Sequence, residues 1–83
     1  GLANEITEPG QALASALALA ERLNQRAPNT LASIKELVNA ALGQDLFAQL
    51  QLEKQHFVKN LHHPNAGIGI QAFLDKQTPH YKP

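Results

Sequence analysis

The chain contains no cysteine, no methionine and no tryptophan. Without cysteine there is no disulfide framework, no thiolate nucleophile and no zinc site of the paired-Cys kind. Aromatic residues are few: Phe47, Phe57, Phe73 and Tyr81. Neither sign of charge dominates, because seven Lys/Arg balance seven Asp/Glu. This removes the general electrostatic case for nucleic acid or an anionic membrane as a partner. The longest apolar run, Ala16 to Ala20, is far short of the roughly 20 residues that span a bilayer. The expected compartment is therefore the cytoplasm. A chain of 83 residues buries only about 60% of its unfolded surface, which excludes a complete large enzyme. Lacking an initiator methionine, it opens on Gly1-Leu2-Ala3-Asn4-Glu5-Ile6, which reads as the interior of a longer protein.

Thirteen alanines and thirteen leucines make up most of the apolar content, a bias toward helix over sheet. Helical punctuation recurs four times. Thr7 is a candidate N-cap, followed by Glu8 and Pro9 in a first turn, with Leu13, Ala16, Leu17, Ala20, Leu23 and Ala27 on one side and Pro28 as the stop. Asn29 is expected to cap a second helix with the stripe Leu31, Ile34, Val38 and Leu42, and Gly43 to end it in the left-handed conformation. Asp45 is expected to cap the third, with Leu46, Leu50, Phe57 and Leu61 on one side, Gln49 and Asn60 on the polar side, and Pro64 closing it. A fourth runs from about Ala66 to Lys76, its first turns weakened by Gly67 and Gly69. Residues 1–6 read as a strand or linker end, 7–76 as the helical unit and 77–83 as an extended tail that orders only if it docks. The expected fold is an all-α bundle of four short helices, too thin in core to stand well alone.

Charge is uneven along the chain. Residues 1–53 carry three bases and six acids, a net of −3, whereas residues 54–83 carry four bases and Asp75 alone, a net of +3. All four histidines lie in the second part, and His56, His62 and His63 are the obvious candidates for a metal module. They lack a clear third ligand and match no structural zinc spacing, so histidines on the surface at a helix end account for them better. No metal is expected. Pairs such as Asp45 and Glu53 have no converging partner, Ser15 and Ser33 have no neighbouring base, and Gly67-Ile68-Gly69 is too short for a dinucleotide fingerprint. No catalytic residue is assigned. Phe73 and Lys76 remain, three apart on one helix, offering a ring for an apolar or planar group and an ammonium for a phosphate.

Gly69-Ile70-Gln71-Ala72-Phe73-Leu74-Asp75-Lys76 followed by Pro79 resembles the Gly-x-x-Ala-Phe-Leu-acidic-Lys segment that closes enoyl-CoA hydratase/isomerase (crotonase) family proteins. The order of the rest agrees. Gly1-Leu2-Ala3-Asn4-Glu5-Ile6 resembles the family's Gly-Leu-Val-Asn-x-Val, Ala27-Pro28 with Lys35 resembles its Ala-Pro-x6-Lys helix, and Leu52-Glu53 with Phe57 its Leu-Glu-x3-Phe helix. Three departures stand out: Ile68 where many members have an acid, Asn65 where Asp is common at the last helix start, and Lys76-Gln77 in place of Lys-Arg. The last removes one cation from any phosphate contact, while Asn65 is still a competent cap.

The resemblance covers nearly the whole chain as the last third of a typical member. It implies a C-terminal helical domain that packs between subunits in trimers, or dimers of trimers, and closes part of the acyl-CoA site. The catalytic core, with two backbone N–H groups for a thioester enolate, would lie upstream of Gly1 and be a further packing partner. Coenzyme A thioester would be the parent's substrate, with Phe73 and Lys76 approaching the coenzyme A of a neighbouring subunit. By this reading the chain alone catalyses nothing, and the parent is the hydratase or isomerase. The competing expectation is a free-standing helical adaptor that receives a partner helix.

Overall fold

In the computed structural model the chain is entirely helical outside its turns and ends. Helices α1 (Ala12–Asn24), α2 (Pro28–Ala41), α3 (Leu46–Leu61) and α4 (Pro64–Leu74) follow one another, with no strand. Residues 1–6, expected to resemble a strand end, form none.

Proline and glycine moved the helix boundaries. The first helix does not start at Thr7. Glu8-Pro9-Gly10-Gln11 closes a turn, with the Gln11 N–H donating to the Glu8 carbonyl at 3.0 Å and Gly10 at φ +81. Proline followed by a left-handed glycine is the composition of a type II turn, and it delays the helix to Ala12. Pro28 opens α2 at its first position and does not merely stop α1, since the missing N–H is tolerated there. Asn29 is consequently inside the helix, and its expected capping role falls away. Gly43 donates to the Ala40 carbonyl at 3.0 Å without adopting positive φ, so the expected left-handed stop is absent. Asp45 does cap α3, its Oδ1 accepting from the Ala48 N–H at 2.8 Å. α4 begins two residues earlier than expected, at Pro64, with His63 as its cap: Nδ1 accepts from the Asn65 N–H at 3.1 Å. Asn65 is thus not a cap.

The faces are the larger surprise. α2 packs on α3 and α3 on α4, but the α2–α3 seam is made largely of polar and small side chains, with Leu37 and Leu52 as its large apolar members. Ser33, Leu37 and Ala40 of α2 turn toward Gln49, Leu52, His56 and Asn60 of α3, and all are half-buried or buried. Most of the expected apolar stripes points outward: Ile34, Val38 and Leu42 of α2, and Leu46, Leu50, Phe57 and Leu61 of α3, are exposed, while Leu31 is half-buried. α1 buries no residue. Only Ala27, Ser33 and Asn65 are fully buried.

A side-chain ladder runs through the seam. Asn29 Nδ2 donates to Asn60 Oδ1 at 2.6 Å, Asn60 Nδ2 donates to Ser33 Oγ at 2.7 Å, and Asn65 Nδ2 donates to Asn29 Oδ1 at 2.9 Å. At the α2–α3 turn, Gln49 Nε2 reaches the Leu37 carbonyl at 3.2 Å and its Oε1 accepts from Gln44 Nε2. Buried amides are costly unless paired, and here each partner satisfies the next.

Shape and surface agree with that pattern. The radius of gyration is 16.2 Å, against about 12 Å for a compact chain of this length. The accessible surface is 7244 Å², against roughly 4,900 Å² for a compact monomer of this mass.

Candidate functional site

The two sequence-nominated residues share the C-terminal end of α4. Phe73 lies in the last turn with 83% of its surface exposed, whereas Lys76, expected on the same helix, lies past the Asp75 C-cap because α4 ends at Leu74. Lys76 has φ 54, the only non-glycine residue in the left-handed region. Its N–H donates to the Phe73 carbonyl at 3.3 Å, and the Gln77 N–H donates to the Ala72 carbonyl at 2.9 Å. These paired bonds form a Schellman motif whose left-handed position is occupied by lysine where glycine is usual. The cost of that conformation for a side-chain-bearing residue is about 1 kcal/mol or more.

The Lys76 ammonium has no carboxylate partner within ion-pair distance; the molecule's one such pair is His56 Nε2 with Glu36 Oε2 at 3.4 Å. The adjacent Asp75 carboxylate instead accepts from Gln71 Nε2 at 2.9 Å. An exposed ring and an unpaired cation three residues apart at one helix end are groups suited to a planar or apolar group with an anion attached.

The tail returns from Lys76 along α4. Asn65, 2% exposed, holds it in both directions: Lys82 N–H donates to Asn65 Oδ1 at 2.8 Å and Asn65 Nδ2 donates to the Lys82 carbonyl at 2.9 Å. Tyr81 rests on α4 at Gly69, where a Cβ would stand 3.1 Å from its hydroxyl. Gly69 therefore makes room for the tail, a role invisible in the helical pattern. Beside Tyr81 a groove of about 380 Å³ opens between Ala27, Phe57, Leu61 and Ile70. Neither Phe73 nor Lys76 lines it.

The histidines are dispersed among structural tasks. His56 is in the α2–α3 seam, its side chain 11% exposed and its Nδ1 without a partner, so it is not the surface histidine expected. His62 is the C-cap of α3 and His63 the N-cap of α4. No three metal-ligating side chains converge anywhere in the molecule. No helix is long and apolar enough to cross a membrane.

The chain is all-helical and leaves much of its apolar surface exposed. The family model for enoyl-CoA hydratase/isomerase matches residues 1–83, and the chain belongs to that family. It is 56% identical to an enoyl-CoA hydratase from Polaromonas sp. JS666 whose crystal structure superposes with a TM-score of 0.94, covering 99% of this chain and 32% of that one. A putative enoyl-CoA hydratase of Thermus thermophilus is 36% identical over 81 residues, 98% of this chain and 32% of its own. A probable enoyl-CoA hydratase of Bacillus subtilis is 33% identical over 75 residues, 90% of this chain and 29% of its own. The chain thus spans about a third of the length of the relatives it matches.

Proposed function

We propose that this chain is the C-terminal helical part of an enoyl-CoA hydratase/isomerase-like enzyme, serving self-association and closure of the acyl-CoA site. The observation that carries the reading is the inverted surface: eighteen large hydrophobic side chains are exposed around a polar interior seam. Exposed apolar patches on this scale mark interaction surfaces. The excess of roughly 2,300 Å² over a compact monomer is well beyond the ~800 Å² that one partner buries in a standard interface, and is on the scale of large obligate ones. In this reading the covering surfaces are the upstream core and further copies in a trimer or dimer of trimers, working in the cytoplasm.

Phe73 and Lys76 then meet the coenzyme A of a neighbouring subunit, ring against an apolar or planar portion and ammonium against phosphate. The reaction on the thioester, hydration or isomerisation through an enolate held by backbone N–H donors, belongs to the core. This chain supplies assembly and ligand contact and no catalytic group. The free-standing adaptor has less support, because the family match leaves no residue of the chain outside it.

Light scattering across a concentration series, with circular dichroism on the same samples, tests the reading. A helical oligomer that persists on dilution is expected. A strictly monomeric, cooperatively melting chain would overturn it. Coenzyme A added to the oligomer should bind, and Lys76→Ala should weaken that binding about tenfold through loss of one charge-assisted contact.

A further inference from the structure

α4 and the tail form a closed loop. The chain leaves Asn65 along α4, reverses at left-handed Lys76, and returns to Asn65 through the paired bonds to Lys82 at 2.8 and 2.9 Å. Asn65 is also the end of the ladder, bonded to Asn29 of α2 at 2.9 Å. One side chain therefore joins the body of the bundle, the start of α4 and the end of the tail. Phe73 lies toward the far end of α4, about 12 Å from Asn65 along the axis at 1.5 Å per helical residue, and Lys76 stands just past the helix end.

The reversal is the weak point of the loop. Lysine at the left-handed position works against the turn, and something else must hold it there. The Tyr81 ring seated at Gly69 and the Lys82 backbone bonded to Asn65 keep the returning tail against α4. With its ends pinned, the loop has far fewer ways to unwind at Lys76, since closure has already removed that freedom.

We propose that α4 and residues 77–83 are a clasp fastened by Asn65, and that Asn65 is a positioning residue fixing the tip that bears Phe73 and Lys76. What the tip meets rests on the coenzyme A reading above; the geometry of the clasp does not.

Amide hydrogen exchange on the complete chain, without ligand, tests it. Lys82→Pro removes the N–H that Asn65 Oδ1 accepts while leaving the ladder in place. The Lys76 and Gln77 amides, at the opposite end of the loop, should then lose about tenfold or more of their protection, the equivalent of one lost hydrogen bond. Amides in the middle of α3 should keep theirs. Asn65→Ala should do the same to the tip, and adding Lys76→Gly to it should restore protection of the Gln77 amide, because glycine takes the left-handed turn unaided. Tyr81 is the sole tyrosine in a chain without tryptophan, so its emission should change as the tail leaves Gly69. Unchanged tip protection in Lys82→Pro would overturn the proposal. So would a parallel loss throughout the chain in Asn65→Ala that Lys76→Gly does not relieve, since that is the mark of general destabilisation. Because no coenzyme A enters the experiment, its result is independent of the binding test above.

Discussion

Residues 1–26 and residues 27–83 are built on different terms. In the first part no residue is buried, and α1 has no side-chain cap at its N-terminus. In the second part all the long-range side-chain hydrogen bonds are found, from Asn29 to Asn60, Asn60 to Ser33, and Asn65 to Asn29 and Lys82. The second part specifies its own arrangement through directional bonds, and the first leaves its apolar stripe exposed. Hydrogen-bonded amides demand a particular register, whereas an alanine–leucine stripe is satisfied by any apolar surface of suitable shape.

The comparison is broken most severely at the ladder. Asn60→Ala removes the acceptor of Asn29 and the donor to Ser33 in one step, leaving both partners in the seam without it. A loss of about 2–3 kcal/mol is expected. A circular dichroism melt should show a markedly lower midpoint, and a midpoint within a degree or two of the parent's would deny the ladder its role.

Asp45 supplies the next largest effect within the same half. Its carboxylate satisfies one of the orphan amides at the start of α3, and Asp45→Ala should cost about 1 kcal/mol. The equivalent position of α1, Gln11, makes no such bond. Gln11→Ala should therefore leave the melt unchanged, and the pair of melts measures the difference between the halves directly. Lys76→Gly has the opposite sign. Relief of the left-handed strain should stabilise the chain by about 1 kcal/mol, seen as a higher midpoint, while removing the ammonium that the proposed coenzyme A contact uses.

Much of this architecture is legible in the residues. The four helices follow from period and punctuation, and Asp45 from cap chemistry. Family membership follows from short motifs in the correct order. What misleads is the assumption that an apolar stripe faces inward. Ile34, Val38 and Leu42 have helical spacing and are exposed, because spacing marks an apolar face without saying which surface it meets. Gln49 and Asn60, read as the polar side of α3, and His56, read as a surface histidine, are the ones that meet α2. Asn29 and Asn65 illustrate a related ambiguity. An asparagine beside a proline at a helix start has the composition of a cap, but Pro28 and Pro64 already occupy the first helical position and shift the cap to Ala27 and His63. The freed amides can then bond across the bundle. Pro9-Gly10 was the one boundary signal in plain view, since that dipeptide writes a turn more strongly than Thr7 writes a cap.

The smallest effect separates the two halves most sharply. Leu17 is in the middle of the α1 stripe and 56% exposed, with no packed neighbour helix to lose. In a monomer Leu17→Ala would cost less than about 0.5 kcal/mol, because little apolar area returns to water and alanine is the better helix former. If α1 is covered in an assembly, the same substitution removes buried side-chain volume there, and the cost rises to about 2 kcal/mol or more per subunit. The expected result is a melting midpoint clearly lowered, relative to the parent chain, at every concentration where light scattering reports an oligomer, dilute samples included. A substitution with no effect at those concentrations would show that α1 is not part of the self-association surface. The covered faces would then be those of α2 and α3, where Ile34, Val38 and Phe57 present the next continuous apolar area.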